Sequence, residues 1–221
     1  MRCLFLLMSE VKHIIWDWNG TLIDDVSLCV HILNSVLTDH GKEKISINQY
    51  RKTFFFPVSK FYESLSLPCS GEEYERLAQN YIKKYREEYK GCFLHDHAFE
   101  TIKSLKMLGV SQSIFSAGMQ SDLEEFVNFY GLLDFMTVVD GANNIYAKGK
   151  GDRVHDHFIK VSHHADQVLF VGDTLHDAEV ATSVGCDALL FEKGHFCEER
   201  LRNSPAQSFN NLLEVLKYLR D

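Results

Sequence analysis

Five polar residues in three separate stretches could act together on one anionic group. They are Asp17 and Asn19 in Asp17-Trp18-Asn19-Gly20-Thr21, Ser116 near the end of the run 111–117, and Asp173 with Asp177 in Gly172-Asp173-Thr174-Leu175-His176-Asp177. Each stretch begins where an apolar, β-forming run stops. In an open α/β sheet, ligands bind beyond the carboxyl ends of the strands, so polar residues that end different strands converge there. A single Asp after a strand says little, but carboxylates at two strand ends and a serine at a third point to a site. Carboxylates brought together repel unless a cation joins them, and hard oxygen donors suit Mg²⁺.

The elements that must position these residues follow from the apolar pattern. Runs rich in β-formers at 11–17, 111–117, 135–141, 167–173 and 187–194 alternate with segments whose apolar residues recur every three or four positions. Near-continuous apolar strands between amphipathic helices predict an α/β fold with a parallel sheet covered on both faces. Residues 24–92 break the alternation. There 26–41, 47–65 and 70–91 all read as helices, the last with Ser70 as N-cap and Glu73 three residues on. The expected organisation is a core built from 1–23 and 93–221, interrupted by a helical module over 24–92, with hinges near Asp24 and Cys92.

Composition excludes several classes of function. The net charge of -8, with no polybasic tract, lacks the electrostatic footprint that nucleic acid or an anionic membrane would need. No run approaches the roughly 18–20 apolar residues of a membrane span. Residues 1–10 are too short and lack the cleavage site of a secretory signal, and read as a start-site extension with Met8 as an alternative start. Cys3, Cys29, Cys69, Cys92, Cys186 and Cys197 form no Cys-x-x-Cys pair, so free thiols in a reducing cytoplasm are expected, in a chain taken by default as a monomer. The sequon Asn19-Gly20-Thr21 is then accidental. His155 and His157 fall on different faces of their helix, which predicts a surface helix, with His163 and His164 beyond it, rather than a zinc site. Gly149-Lys150-Gly151 is not a phosphate-binding P-loop, since the upstream glycine and following hydroxyl residue are missing.

On these motifs the chain resembles the haloacid dehalogenase superfamily of phosphatases and phosphotransferases over nearly its whole length. The first motif of that superfamily, Asp-x-Asp-Gly-Thr, stands here as Asp17 to Thr21, the second as Ser116, and the fourth, Gly-Asp-x-x-x-Asp, as Gly172 to Asp177. The pattern looks most like the phosphoglycolate-phosphatase-like branch. The resemblance implies a Rossmann-like parallel-sheet core with an inserted α-helical cap domain over 24–92, and a Mg²⁺-dependent phosphatase of a small phosphorylated metabolite. It implies Asp17 as the nucleophile that forms an aspartyl phosphate. Asp17, Asp173, Asp177 and the backbone carbonyl of Asn19 would hold the metal. Ser116, Thr21 and backbone N–H groups around Gly20 and Ala117 would bind phosphate oxygens. The third motif is a lysine that stabilises Asp17 and the transferring group, for which both Lys148 and Lys150 qualify; Lys150 is favoured because it stands at the start of a helix, where a short stem can reach the sheet edge. Arg51, beside the aromatic run Phe54-Phe55-Phe56, is a candidate partner for a substrate carboxylate.

Asn19 is the departure. In the resembling superfamily the carboxylate at that place protonates the leaving oxygen and then activates water. An amide keeps the carbonyl but cannot exchange the proton, and general acid–base catalysis is typically worth ~10²–10⁴-fold. The expectation is a phosphatase in which His176, His195, a cap residue or solvent covers the proton transfer, since every other catalytic position is filled. The alternatives are a slow phosphotransferase and a Mg²⁺- and phosphate-binding regulatory protein that has lost turnover. Carbon–halogen displacement would not need the metal motif, and the lysine that phosphonate cleavage requires would have to be Lys52 or Lys60, which read as solvated helix charges.

Overall fold

The computed structural model describes residues 11–147 and 149–220, so the expectations for Cys3, Met8 and Lys148 lie outside the described residues. In chain order the elements are β1 (His13–Trp16), β2 (Ile23–Asp24), α1 (Val26–Asp39), α2 (Ile47–Thr53), α3 (Val58–Ser64), α4 (Gly71–Glu88), β3 (Phe93–Leu94), α5 (Ala98–Met107) and β4 (Ser111–Met119). They continue with α6 (Gln120–Phe129), β5 (Val138–Ala142), α7 (Val154–Val161), β6 (Val168–Gly172), α8 (Leu175–Val184), β7 (Asp187–Phe191), α9 (Glu198–Leu201), β8 (Gln207–Phe209) and α10 (Glu214–Tyr218).

Six of the strands form one parallel sheet in the order β5-β4-β1-β6-β7-β8. Every residue of β1 and β6 is buried, as strands covered on both faces must be. Alternation along β1 divides the core: Ile14 and Trp16 pack with Ile102 of α5 and Val127 of α6, while Ile15 packs with Val154 of α7 and Val180 of α8. The chain runs outward from β1 through β4 to β5, then returns to lay β6, β7 and β8 on the other side of β1. That reversal opens a crevice at the carboxyl ends of β1, β4 and β6.

The five strands expected from sequence are present, and β8 is added at the edge. The second addition is a two-stranded antiparallel ribbon, β2 with β3, pairing Ile23 with Leu94 and Asp24 with Phe93. These two-residue strands are too short to leave a periodic signal, and they sit at the two junctions of the helical cap. Within the cap, 47–65 is two helices rather than one. Pro57 has no N–H to continue α2 and restricts Phe56 to extended backbone, so the chain breaks over 54–57 and restarts as α3. Ser70 does precede α4, but its side chain makes no capping hydrogen bond; the reciprocal box is formed by Ser46 and Gln49 at α2. The cap packs on the core through Phe54 and Phe61 against Leu190, Phe196 and Leu201, and Arg200 donates to the carbonyls of Arg51 and Phe54 at 3.0 and 2.6 Å. Among the described residues no helix is long and apolar enough to cross a membrane, and Cys29, Cys69, Cys92, Cys186 and Cys197 are free thiols.

The expectation of a surface helix holds for His155, which is exposed, but not for His157. His157 is buried, with Nε2 2.9 Å from Ser113 Oγ and Nδ1 3.1 Å from Asp140 Oδ2. One face of α7 must cover the sheet, and the spacing that separates the two histidines places His157 on that face. Ser113 also meets His13 Nε2 at 2.8 Å, and His13 Nδ1 meets Ser111 Oγ at 2.7 Å. Burial, with His163 and His157 nearby, lowers the His13 pKa from 6.5 to about 3. The folded protein therefore holds this imidazole neutral while the unfolded chain protonates it. Its stability contribution is full above about pH 6.5 and is lost as pH falls toward about 3, with a slope near 1.4 kcal/mol per pH unit for the one proton. Urea unfolding at pH 7 and pH 5 should show that loss, and His13→Gln should flatten it.

Candidate functional site

The crevice is a cavity of about 180 Å³ between the strand ends and the cap. Asp17 follows β1, Asp173 follows β6, Asp177 lies in the first turn of α8, and Lys150 enters from the loop before α7. Carboxylate oxygens of Asp17, Asp173 and Asp177 can all lie within 4.8 Å of one another. Lys150 is 3% exposed, its Nζ donating to Asp17 Oδ1 at 2.5 Å and Asp177 Oδ1 at 2.6 Å. Its backbone N–H donates to His176 Nε2 at 2.9 Å. Gly149 makes that contact feasible: at φ +104°, a Cβ there would stand 2.7 Å from the same nitrogen.

One ammonium among three buried carboxylates leaves an excess of negative charge. Burial raises Asp17 despite the pull of Lys150, and raises Asp173 well above the carboxylate range. Burial also opposes ionisation of Asp177, but Lys150 and the surrounding hydrogen bonds hold its pKa low. Burial works against the charge of Lys150 too, and the two carboxylates outweigh it. Asp173 is aimed by Thr21 Oγ1 at 3.1 Å and by the His195 N–H at 2.5 Å. Asp177 Oδ2 accepts from the N–H groups of Asp173 and Thr174 and from Thr174 Oγ1, at 3.2, 3.0 and 2.8 Å. The uncompensated charge and all-oxygen donors fit a hard divalent cation held by Asp17 and Asp173, with Asp177 anchoring the set.

Ser116 and Ala117 also line the cavity, where the pairing of β4 with β5 shifts register between Phe115 and Met119. Such an irregularity re-aims side chains at a strand end. Ser116 Oγ accepts the Gly118 N–H at 3.0 Å, and Arg153 donates to its carbonyl at 2.5 Å. Three expected ligand-binding residues are placed otherwise. The Thr21 hydroxyl is spent on Asp173 behind the cavity wall. The Gly20 N–H is spent on Asp25 Oδ1 at 3.0 Å. Gly20 sits at φ +74°, where a Cβ would be 2.5 Å from both Asp173 Oδ2 and His195 Cδ2, so its role is close approach. Arg51 points away, donating to the Lys193 carbonyl at 2.5 Å, because the turn after α2 is docked on that loop.

Asn19 lines the cavity with its amide anchored from behind. Its Nδ2 donates to Asp25 Oδ2 at 2.7 Å and to the Tyr85 hydroxyl at 3.0 Å, and that hydroxyl donates to Asp25 Oδ2 at 2.8 Å. Asp25 is wholly buried; burial alone would raise its pKa, but His195, Asn19 and Tyr85 hold it below the ordinary range. His195 Nε2 is 3.3 Å from Asp25 Oδ1, and its Nδ1 is 2.9 Å from the Tyr50 hydroxyl. Burial lowers the His195 pKa, yet Asp25 carries it up to about 9. A carboxylate at position 19 would face Asp25 at the distance of a hydrogen bond, which accounts for an amide here. Asp25, Tyr50 and Tyr85 were missed by sequence reasoning. Tyr50 and Tyr85 lie in cap helices far along the chain from the motifs, and Asp25, at the N-cap of α1 just after the first motif, belongs to no motif of its own.

A family model described as haloacid dehalogenase-like hydrolase matches residues 14–191. A phosphoglycolate phosphatase of Synechococcus elongatus is 23% identical over 81% of this chain and 82% of its own length. Another, from Rhodobacter capsulatus, is 20% identical over 82% and 84%. Among solved structures, a haloacid dehalogenase-like family hydrolase from Streptococcus pneumoniae superposes with a TM-score of 0.75 at 20% identity, covering 96% of this chain and 99% of its own.

Lys150→Met should expose how much the carboxylate cluster depends on one ammonium. Removing one partner of a buried ion pair typically costs about 3–5 kcal/mol, so urea midpoints measured in chelator should fall accordingly.

Proposed function

The chain belongs to the haloacid dehalogenase-like hydrolase family, and on that premise we propose that it is a Mg²⁺-dependent phosphatase of small phosphomonoesters, working through an aspartyl phosphate on Asp17. One observation carries the reading: the Asp17 carboxylate, at the end of the central strand and 2.5 Å from Lys150 Nζ, lines the cavity beneath the cap beside Asp173 and Asp177. The two relatives from Synechococcus elongatus and Rhodobacter capsulatus are phosphoglycolate phosphatases, which supports the same chemistry.

Asp17 attacks phosphorus as a carboxylate nucleophile, and water later resolves the acyl phosphate. Lys150 opposes the rise that burial imposes on Asp17 and faces the charge on the transferring group. Ser116 and the backbone beside Ala117 orient phosphate oxygens. Mg²⁺, held by Asp17, Asp173, the carbonyl of Asn19 and directly or through water by Asp177, would neutralise charge between the two anions. Asn19 supplies no proton, His176 is committed to the Lys150 N–H, and His195 is committed to Asp25 and Tyr50. Solvent in the cavity is left as the proton carrier. The cap over 24–92 excludes bulk water during transfer and opens through the ribbon of β2 and β3 to release product. The free thiols support a reducing, cytoplasmic setting, and a monomer is the default state.

Phosphate release from a panel of small monoesters with Mg²⁺ tests this on three proteins. The native protein should turn over, with chelator abolishing the activity, and Asp17→Asn should show none. Asn19→Asp, which pairs two carboxyls so that one retains its proton, should raise turnover by about 10²-fold. If Asn19→Asp alone turned over, the native chain would be a stalled, ligand-binding form of the fold.

A further inference from the structure

We propose that the leaving group accepted by this cavity is a neutral aromatic one, so that the substrate class is an aryl phosphate monoester rather than an ester with a second anionic group. The inference rests on the phosphatase reading above and deepens it. Its first support is the wall that faces the carboxylates. Tyr50 and Phe54 are stacked at 4.9 Å with an interplanar angle of 18°, and Phe61 meets Phe54 edge-on at 5.2 Å. Tyr74 and Tyr146 stack at 5.9 Å and 28°. All five line the cavity, and this spacing is that of rings that accept a further ring by offset or edge contact.

The second support is the fate of the cations. Among the described residues lining the cavity, the basic side chains are Lys150 and His195. Lys150 is shared by Asp17 and Asp177, and His195 is taken by Asp25. Arg51 is turned to Lys193, and Arg86, at the rim, is paired with Asp122 at 2.8 Å. A leaving group bearing a carboxylate would enter an aromatic wall that offers its charge no unpaired cation among the described residues.

Asn19 is the third, independent support. Transfer to Asp17 forms an Asp17 O–P bond and breaks the ester P–O bond, whose electron pair departs on the leaving oxygen. An aliphatic alkoxide, with a conjugate acid near the pKa of ~16 of water, needs a proton as it leaves. A phenolate, with a conjugate acid near ~10, leaves without one and takes its proton from solvent afterwards. Water then cleaves the acyl phosphate to inorganic phosphate and restores Asp17. A wall shaped for rings and a position emptied of its acid select the same ester.

The experiment compares kcat/KM for phenyl phosphate, cyclohexyl phosphate and 2-phosphoglycolate on the native protein and on Asn19→Asp, with Mg²⁺. Phenyl phosphate should exceed both others by at least about 10²-fold on the native protein. Asn19→Asp should raise the ratio of kcat/KM for cyclohexyl phosphate to that for phenyl phosphate by at least about 10-fold, since only the alkoxide needs the restored acid. In calorimetry, the non-hydrolysable phenylphosphonate should bind the native protein at least about 10-fold more tightly than phosphonoacetate, from the desolvation of an unpaired carboxylate. Equal or faster turnover of 2-phosphoglycolate, or tighter binding of phosphonoacetate, would overturn the inference and leave the phosphatase reading standing. Equal acceleration of both neutral esters by Asn19→Asp would overturn the leaving-group argument. No release from any ester by either protein would overturn both readings.

Discussion

The ammonium of Lys150, within 2.6 Å of Asp17 and Asp177, is the interaction on which the rest of the site depends. Three carboxylates at the ends of two buried strands and a helix would drive one another apart or take up protons. A single fixed cation, delivered by the loop ahead of α7, offsets part of that repulsion, and the charge left over fits a hard cation. The loop reaches that far because Gly149 permits a left-handed turn against His176, so an aromatic nitrogen on α8 sets where the ammonium stands. The parallel sheet supplies the convergence, and the lysine makes it tolerable.

A second network lies directly behind the first. Asp25, Asn19, Tyr85, His195 and Tyr50 form a buried chain of hydrogen bonds in which one carboxylate and one imidazolium balance. This chain ties the strand-end loop of the core to cap helices α2 and α4, so that the docked cap fixes the orientation of Asn19. Asn19, an amide that cannot exchange a proton, serves in it as a donor that holds the loop. In the reaction proposed above the substrate then carries part of the chemistry itself, which gives the aromatic lining of the cap a meaning beyond filling space.

Much of the core was legible in the sequence. The five expected strands, the helices between them and the inserted helical segment all appeared where the apolar periodicity put them, because a strand buried on both faces and a helix buried on one leave patterns that no loop imitates. Errors fell where a local signal had two physical readings. Pro57 inside an apolar run broke a helix that periodicity alone had continued, Ser70 capped nothing with its side chain, and the two-residue ribbon was below the length at which a pattern exists.

By itself, the sequence determined the order of strands and helices and the positions of the strand-ending carboxylates, since each of these is local in the chain. It also presented an amide at position 19 without a reason for it. Only the tertiary structure decided that Lys150 meets Asp17 across 133 residues, that Asp25 stands behind Asn19, and that Thr21, Gly20 and Arg51 spend their donors elsewhere. Hydrogen bonds and ion pairs of that kind are set by which side chains the packed layers bring within 3 Å or so. No spacing along the chain encodes that distance, because it is the twist of the sheet and the docking of the cap that close it.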